Sequence, residues 1–255
     1  MNPIKCAVRK AGNWYVQRVC VAEASGQKFT HHNERPIEYR FALECLASKR
    51  PTTVLDVGTG TTAWPHLLRN CGFLTTAIDN VRDYWDDQMV NRHWTVLDVD
   101  ITKPGEFHGP FDAVTCISVM EHIVDHETAV RNMLGLLAPG GLLIITTPYN
   151  HREYCPNVYK RPDALYGQDF PYICRCHSVQ EIEKWQQLGA RLKRRELWQL
   201  FSGPVWATGS RIPWRQARSE DEPHQLGCFE FEKWRTDCAS SYGYEETNRI
   251  RNCQE

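Results

Sequence analysis

Two glycines separated by one residue follow a short apolar run in the stretch VLDVGTGTTAW, which begins at Val54. Gly58 and Gly60 stand where a predicted strand ends and a predicted helix begins. Because glycine has no Cβ, the backbone of such a turn can approach a bound nucleotide closely. The residue types and their spacing therefore predict a turn that binds a nucleotide cofactor.

The spacing of these glycines fits two kinds of cofactor. Together with Ala63, they match the G-x-G-x-x-A pattern of dinucleotide-binding folds. Asp79 follows at about the distance where an acid would bind the ribose hydroxyls. Asp56, however, stands two residues before Gly58, and a carboxylate there would repel the anionic diphosphate of a dinucleotide. This acid favours a cofactor that carries a cationic group.

His122 is the best candidate for a general base. It follows the predicted fourth strand, at the edge where open α/β folds bind their ligands. An imidazole titrates near neutral pH and can remove a proton from a substrate hydroxyl. The alternative, that His122 only packs or caps the helix predicted from Asp125, stays open. His126 and His151 are weaker candidates for a direct role.

Strand and helix signals alternate along the central part of the chain. Strands are predicted at residues 53–57, 74–78, 93–99, 111–118 and 142–147, and helices at 34–49, 63–71, 84–89 and 125–137. This alternation predicts a parallel sheet with helices on both faces. After Pro148 we expect a helix at 178–188, strands at 191–200 and 225–231, and loops at 149–177 and 202–224. Residues 1–33 show no clear period, and we expect a short strand or hairpin there.

Composition narrows the class of protein. The chain has 255 residues, of which 42% are hydrophobic, enough for one large α/β domain. Its 30 basic and 31 acidic residues give a net charge of −1, so a nucleic-acid substrate is not favoured. No apolar run approaches the roughly 20 residues of a membrane span, and the N-terminus lacks the apolar core of a signal peptide. We expect a cytoplasmic protein without a membrane span.

Eleven cysteines are scattered along the chain, and we expect them to be reduced. Cys155, Cys174, Cys176 and His177 form one dense group that could offer zinc ligands. Paired Cys-x-x-Cys knuckles are missing, so ordinary cysteines are favoured and no metal site is predicted.

Five motifs occur in a fixed order along the chain. They are VLDVGTG at the first strand, Asp79 after the second, Asp100-Ile101 after the third, FDAVTCISVMEHI at the fourth and LAPGGLLIITTP at the fifth. Together they resemble the class I S-adenosylmethionine-dependent methyltransferases. Within that superfamily, the chain is similar to the branch of the ubiquinone-biosynthesis O-methyltransferases and many small-molecule and sugar methyltransferases. The resemblance covers about residues 34–200 and departs from the pattern at Thr59, where many relatives carry Cys or Ser.

The resemblance implies a Rossmann-like α/β fold with seven mostly parallel strands, an antiparallel last strand and helices on both faces. It implies S-adenosyl-L-methionine as the cofactor. The residues that it assigns to cofactor binding are Asp56, Gly58, Thr59, Gly60, Asp79, Asn80, Asp100, Ile101, Ser118 and Val119. The glycines would hold the methionine portion, Asp79 the ribose hydroxyls and Asp100 the adenine amino group. Asp98 is a rival to Asp100, because the stretch LDVD offers two acids on one face of a strand.

We expect three parts in the chain: an N-terminal extension at 1–33, a methyltransferase domain at 34–233 and a tail at 234–255. The insertions 149–177 and 202–224 are rich in Tyr, Trp, His and Arg and are expected to cover the acceptor. That acceptor is expected to be a small molecule or glycan, methylated on a hydroxyl or, nearly as readily, an amine. Two alternatives stay open: an NAD-dependent oxidoreductase, and a non-catalytic methyltransferase-like binding module.

Overall fold

The computed structural model describes residues 3–26, 33–86, 89–105 and 107–235. The chain forms two compact units, Met1–Arg35 and Pro36–Glu255. The first unit contains helix α1, Pro3–Ser25. The short strand or hairpin predicted for residues 1–33 is therefore wrong over this range. Alanines, lysines and arginines favour the helix, and Pro3 stands in the first turn, where its missing N–H costs nothing.

The second unit is an α/β fold. Its strands are β1 Thr53–Val57, β2 Leu74–Asp79, β3 Leu97–Asp98, β4 Phe111–Ile117, β5 Leu137–Pro148, β6 Ala190–Phe201, β7 Arg211–Ala217 and β8 Leu226–Lys233. Its helices are α2 Arg35–Lys49, α3 Trp64–Asn70, α4 Val81–Tyr84, α5 His126–Leu136 and α6 Val179–Gln187, with a 3-10 turn at Val158–Lys160. The predicted alternation of strands and helices is confirmed.

The described residues build one sheet of eight strands, in the order β3-β2-β1-β4-β5-β8-β6-β7. The first five run parallel, and β8 runs antiparallel to both β5 and β6. This confirms the Rossmann-like sheet, with one strand more than the seven expected. The extra strand is β7, which pairs antiparallel with β6 inside the predicted loop 202–224. Its Pro213 and arginines suggested a loop, but an edge strand tolerates both.

The region between β2 and β4 differs from the prediction. Strand β3 has two residues rather than the seven predicted at 93–99, and α4 ends at Tyr84, where the predicted helix was to begin. The backbone N–H groups of His93 and Trp94 donate to the Asn91 side chain at 2.9 and 2.8 Å. This side chain competes with strand pairing and turns the chain before β3.

The core lies on both faces of the sheet. On one face, Phe41 and Leu46 of α2 pack in the same cluster as Val54 of β1. On the other face, Met133 of α5 and Trp185 of α6 belong to a second cluster. Both sides of the sheet are thus covered, and the loops at the strand ends remain to form a site. Within the described residues, no helix is long and apolar enough to cross a bilayer.

Candidate functional site

Three parallel strands bring most of the predicted cofactor residues to one edge of the sheet. Strand β1 runs between β2 and β4, with Asp56 beside Ala77 on one side and Thr115 on the other. Parallel strands end at the same edge, here called the carboxyl edge, where such folds bind ligands. The turn after β1, Asp79 at the end of β2 and the loop after β4 all lie there.

The two glycines of the turn have different surroundings. Gly58 has a φ of +74°, and a Cβ added to it would lie 2.3 Å from Val119 Cγ1. Gly60 has a φ of +53°, but an added Cβ would meet no atom within 4 Å. Gly58 therefore lets the turn pack against the loop after β4. Gly60 leaves open space, in which a ligand can approach the backbone.

Asp79 ties the turn to the end of β2. Its two carboxylate oxygens accept hydrogen bonds from the backbone N–H of Gly60 at 2.7 Å and of Asn80 at 2.8 Å. Burial raises the pKa of Asp79, and these N–H groups offset part of the rise. The Asn80 side chain donates to Asp83 of α4 at 3.0 Å. The Trp85 side chain also hydrogen-bonds Asp79 and lowers its pKa, so at least one of the roughly four lone-pair sites of the carboxylate stays open to a ribose hydroxyl.

Thr59 carries an unsatisfied hydrogen-bonding group inside the turn. Its side chain is buried, and Oγ1 has no hydrogen-bond partner among the described residues. Buried hydroxyls are nearly always hydrogen-bonded, so this one points to a polar group of a ligand. The orphaned hydroxyl, the open face of Gly60 and the Asp79 carboxylate together fit a nucleoside cofactor with polar substituents.

Asp56 is buried at the end of a hydrogen-bond chain. The Trp64 indole N–H donates to Thr115 Oγ1 at 3.2 Å, and the Thr115 hydroxyl donates to Asp56 Oδ1 at 2.7 Å. The Tyr39 ring stacks on Trp64 with the centroids 4.5 Å apart. Two neutral donors in series thus hold the Asp56 carboxyl group in place at the carboxyl edge.

Glu38 of α2 is a site residue that sequence reasoning missed. It is fully buried and accepts hydrogen bonds from the hydroxyls of Ser118 at 2.5 Å and Thr146 at 2.7 Å. Ser118 has a φ of +51°, the left-handed region, so Glu38 helps to hold a strained turn after β4. The available signal was an acid on the apolar side of a helix, three residues before Phe41.

The carboxyl edge is electrically negative. Burial raises the pKa of the Cys116 thiol well above its ordinary value, and the charges of Glu121, Asp56 and Asp79 add to the rise. Likewise, burial raises the pKa of Cys228, and the charge of Glu38 adds to it. The carboxylates around these two thiols thus contribute a negative local field. Such a field attracts a cationic group and repels a diphosphate.

The two rival acids near β3 have different partners. Asp98 forms an ion pair with Arg82 at 2.6 Å. Asp100 accepts hydrogen bonds from the N–H and the hydroxyl of Thr102, both at 2.8 Å. Ile101 is buried and belongs to the second core cluster. Asp98 is thus paired with a cation, whereas the partners of Asp100 are neutral donors.

His122 lies in the loop after β4, and its ring orientation is fixed. Its Nδ1 lies 2.6 Å from the carbonyl oxygen of Ile173. A carbonyl only accepts, so we assign the ring proton to Nδ1, and in the neutral imidazole Nε2 carries the lone pair. Nε2 lies 4.0 Å from Glu121 Oε1. The ring is about one-third exposed, so an acceptor can reach it.

The two weaker histidine candidates have structural contacts. His126 Nδ1 accepts a hydrogen bond from the Trp185 indole at 3.1 Å, and burial lowers the pKa of His126. His151 Nε2 lies 3.1 Å from Glu220 Oε2, and its Nδ1 lies 3.0 Å from the Tyr149 hydroxyl. These contacts explain the positions of both histidine rings without a direct role in catalysis.

Of the four residues whose types could offer zinc ligands, three are core cysteines. The thiols of Cys155, Cys174 and Cys176 are free and buried in one apolar cluster. His177 is also buried, and its Nδ1 lies 3.1 Å from Thr147 Oγ1. In the described ranges, no group of three or more His, Cys, Asp or Glu side chains is placed to hold a metal ion.

An aromatic cluster of Tyr159, Phe170 and Tyr172 lies beside His122. The rings of Phe170 and Tyr172 stack with centroids 5.3 Å apart, and Tyr159 meets Phe170 edge-on at 5.2 Å. The Tyr172 ring meets the His122 ring edge-on at 4.9 Å. Phe170 and Tyr172 are 45% and 38% exposed. By contrast, Tyr149 is a core residue, so the aromatic richness of the insertion serves both packing and surface.

Comparison with known proteins identifies relatives of this chain. A family model described as a methyltransferase domain matches residues 29–208. A ubiquinone biosynthesis O-methyltransferase of Xanthomonas campestris pv. campestris (strain B100) is 29% identical over 223 residues, 81% of this chain and 87% of that protein. One of Coxiella burnetii (strain Dugway 5J108-111) is 27% identical over 124 residues, 46% of this chain; the match spans only about half of that relative, 51%.

The fold also has a counterpart among solved structures. The 1,6-didemethyltoxoflavin-N1-methyltransferase of Burkholderia thailandensis, solved with 1,6-didemethyltoxoflavin and S-adenosylhomocysteine, matches with a TM-score of 0.53 at 15% identity. The match covers 89% of each chain. At this identity the likeness concerns the fold. The family match extends over more than half of the chain and confirms the class that the motifs resemble: the chain belongs to the class I S-adenosylmethionine-dependent methyltransferases.

Proposed function

We propose that this protein transfers the methyl group of S-adenosyl-L-methionine to a hydroxyl of a small molecule or glycan, with an amine as the second choice. The observation that carries the proposal is the combination of an open backbone at Gly60 with the negative field of two acidic side chains beside the turn, Asp56 and Asp79. A sulfonium and an ammonium group are stabilised by such a field, whereas the diphosphate of NAD is repelled. This combination disfavours the oxidoreductase alternative.

Each part of the cofactor has residues of matching chemistry at the carboxyl edge. In the proposal, Gly58, Thr59 and Gly60 hold the methionine portion, with the Asp56 carboxylate nearby. Asp79 accepts from the ribose hydroxyls, and Asp100 accepts from the adenine amino group beside Ile101. Asn80, Ser118 and Val119 complete the walls. When bound, the cofactor supplies a methyl group activated by the positive sulfur.

His122 acts as the general base in this proposal. The Ile173 carbonyl holds the proton on Nδ1, which keeps the Nε2 lone pair available for a proton from the acceptor hydroxyl. The nearby Glu121 carboxylate stabilises the imidazolium that forms. An acceptor that arrives as a neutral amine with a lone pair needs less help, so the ordered base supports a hydroxyl acceptor.

The aromatic cluster supports an acceptor with a flat or apolar face. Phe170 and Tyr172 offer exposed ring surface next to His122, on which a ring or the apolar face of a sugar can stack. The names of the curated relatives, O-methyltransferases, support an oxygen as the methylated atom. The free thiols fit the cytoplasmic location predicted from the sequence, which stays a prediction.

A methyl-transfer screen tests the proposal. The purified protein would be incubated with methyl-labelled S-adenosylmethionine and small-molecule extracts, and labelled products would be identified by mass spectrometry. We expect a labelled O-methyl product that forms about 10²-fold or more slowly with His122→Ala. A protein that binds the cofactor but labels nothing above the no-enzyme control would favour the non-catalytic alternative.

A further inference from the structure

We propose that Arg175 is a positioning residue that holds the base loop, residues 119–125, so that His122 stays oriented toward the acceptor. The inference rests on the proposed function, in which His122 is the base. Arg175 belongs to the stretch ICRCH, residues 173–177, here called the strap. The strap is part of the insertion 149–177.

Arg175 binds the base loop through backbone carbonyls. Its Nη1 donates to the carbonyl of Ile123 at 2.6 Å, and its Nη2 donates to that of Val124 at 3.2 Å. Its own backbone N–H donates to the carbonyl of Glu121 at 2.9 Å. Arg175 thus contacts the residues on both sides of His122 and fixes the loop independently of side-chain identity there.

The same strap orients the His122 ring. The Ile173 carbonyl, two residues before Arg175, accepts from His122 Nδ1 at 2.6 Å. The base loop and the strap are therefore joined by four hydrogen bonds, three from Arg175 and one to Ile173. A shift of the loop relative to the strap would break the bond that holds the His122 tautomer. Misplacement of a reacting group by about 1 Å can cost about 10²-fold in rate.

Arginine suits this position better than lysine. Its planar fork presents several donors in fixed directions, and here two of them reach neighbouring carbonyls while Nε donates to the Tyr154 hydroxyl at 3.0 Å. The residue is buried, so lost bonds would not be replaced fully by water. A lysine keeps the charge but can reach fewer of these acceptors.

Alternating side chains anchor the strap itself. Cys174 and Cys176 lie in the apolar cluster with Cys155, whereas Arg175 contacts the base loop. The backbones of Cys155 and Cys176 exchange two hydrogen bonds, at 3.0 and 2.8 Å. His177 contacts Thr147 at the end of β5. In this proposal, the cysteines and the histidine of the Cys-x-Cys-His pattern anchor the strap, and Arg175 between them contacts the base loop.

The test is a double-mutant cycle on Arg175→Lys and His122→Ala, with calorimetric titration of S-adenosylhomocysteine as an independent readout. We expect Arg175→Lys to lower kcat by about 10- to 10²-fold, with KM for the cofactor within about twofold of wild type. In the His122→Ala background the same substitution should have almost no further effect. Arg161→Lys, in the same insertion but paired with Asp163 and Glu153, is the matched control and should match wild type. Equal losses in both backgrounds, or a wild-type kcat for Arg175→Lys, would overturn the proposal.

Two further measurements separate this inference from the proposed function. Nitrogen NMR of the histidine rings should show a protected Nδ1–H for His122 in wild type and Arg161→Lys, and faster proton exchange with water in Arg175→Lys. This readout needs no turnover, so it decides the positioning role even if the wild type neither binds the cofactor nor transfers methyl groups. If Arg175→Lys does not fold, Tyr154→Phe replaces it. We expect this variant to lower kcat by a few-fold and to speed proton exchange at His122 Nδ1. An unchanged Nδ1–H signal in a folded variant contradicts the inference.

Discussion

The proposed cofactor side and the proposed acceptor side of the candidate site are built in different ways. On the cofactor side, Gly58, Gly60 and Asp79 lie within 22 residues of one another and are joined by backbone contacts. On the acceptor side, His122 depends on Ile173 and Arg175, about 50 residues later in the chain. Short-range motifs fix the first region, and long-range packing fixes the second. Variants of the first should therefore change cofactor affinity, and variants of the second should change rate.

The largest expected effect belongs to the acceptor side. Replacing His122 with alanine removes the proposed base while leaving the glycine turn intact, so we expect a rate loss of about 10²-fold or more with unchanged cofactor affinity. His93→Ala, at an exposed histidine outside the proposed site, is the control. Single-turnover methyl transfer and calorimetry measure the two quantities separately. A near-normal rate would leave His122 with a packing role.

Gly58→Ala should give the largest effect on the cofactor side. The added Cβ would collide with Val119 at a φ of +74°, so the turn has to move. We expect cofactor affinity to fall by about 10²-fold, together with about 1–3 kcal/mol of stability from overpacking. Gly60→Ala meets no neighbour and should lose less stability. Adding Val119→Ala to Gly58→Ala should recover part of the loss; no recovery would show that the collision is not the cause.

Asp79→Asn tests the ribose assignment with little change of shape. The amide keeps one acceptor but loses the charge, and hydrogen bonds to charged groups contribute about 1.5–3 kcal/mol. We expect about 10- to 10²-fold weaker binding of S-adenosylhomocysteine by calorimetry. Asp98→Asn, at the acid paired with Arg82, is the matched control and should bind as wild type does. If the two variants exchange these outcomes, the acids have been assigned wrongly.

The smallest expected effect is a loss of folding stability when the pH is lowered. Burial lowers the pKa of His177 well below its ordinary value, so below about pH 6.5 the unfolded chain binds the proton that the folded protein excludes. Stability should then fall with decreasing pH, by about 1.4 kcal/mol per pH unit for one such proton. The raised pKa of Asp79 has the opposite sign, because its folded form takes up a proton more readily.

Urea unfolding of wild type and His177→Gln between pH 5.0 and 6.5 measures the contribution of His177 to this acid sensitivity. The variant should show a shallower decline with acid than wild type. Parallel declines in the two proteins would assign the acid sensitivity to other groups, such as His224 and His126, whose pKa values burial also lowers.

The sequence predicted the parts of the molecule that depend on local pattern. Alternating strands and helices, the glycine turn and the class of the protein follow from periodicity and short motifs, and the structure and the comparisons confirm them. The roles of the individual site residues stay predictions. Strand β7 and helix α1 were missed, because an exposed edge strand with Pro213 and a helix of weak amphipathic pattern lack the periodic signals that such predictions need.

The contacts between distant segments could not be predicted from one sequence. Glu38 reaches Ser118 and Thr146 across 80 and 108 residues, and nothing near α2 indicates those partners. Arg175 lies between two cysteines and just before His177, in a stretch whose residue types are typical of zinc ligands. In both cases the functional partner is a hydroxyl or a backbone carbonyl, which leaves no mark in residue type or spacing.

Calorimetric titration of the purified protein with S-adenosylhomocysteine and, separately, with NADH tests the central claim most directly. We expect saturable one-site binding of S-adenosylhomocysteine that is lost or strongly weakened in Asp79→Asn, and no binding of NADH. Tight binding of NADH without a response to S-adenosylhomocysteine would contradict it.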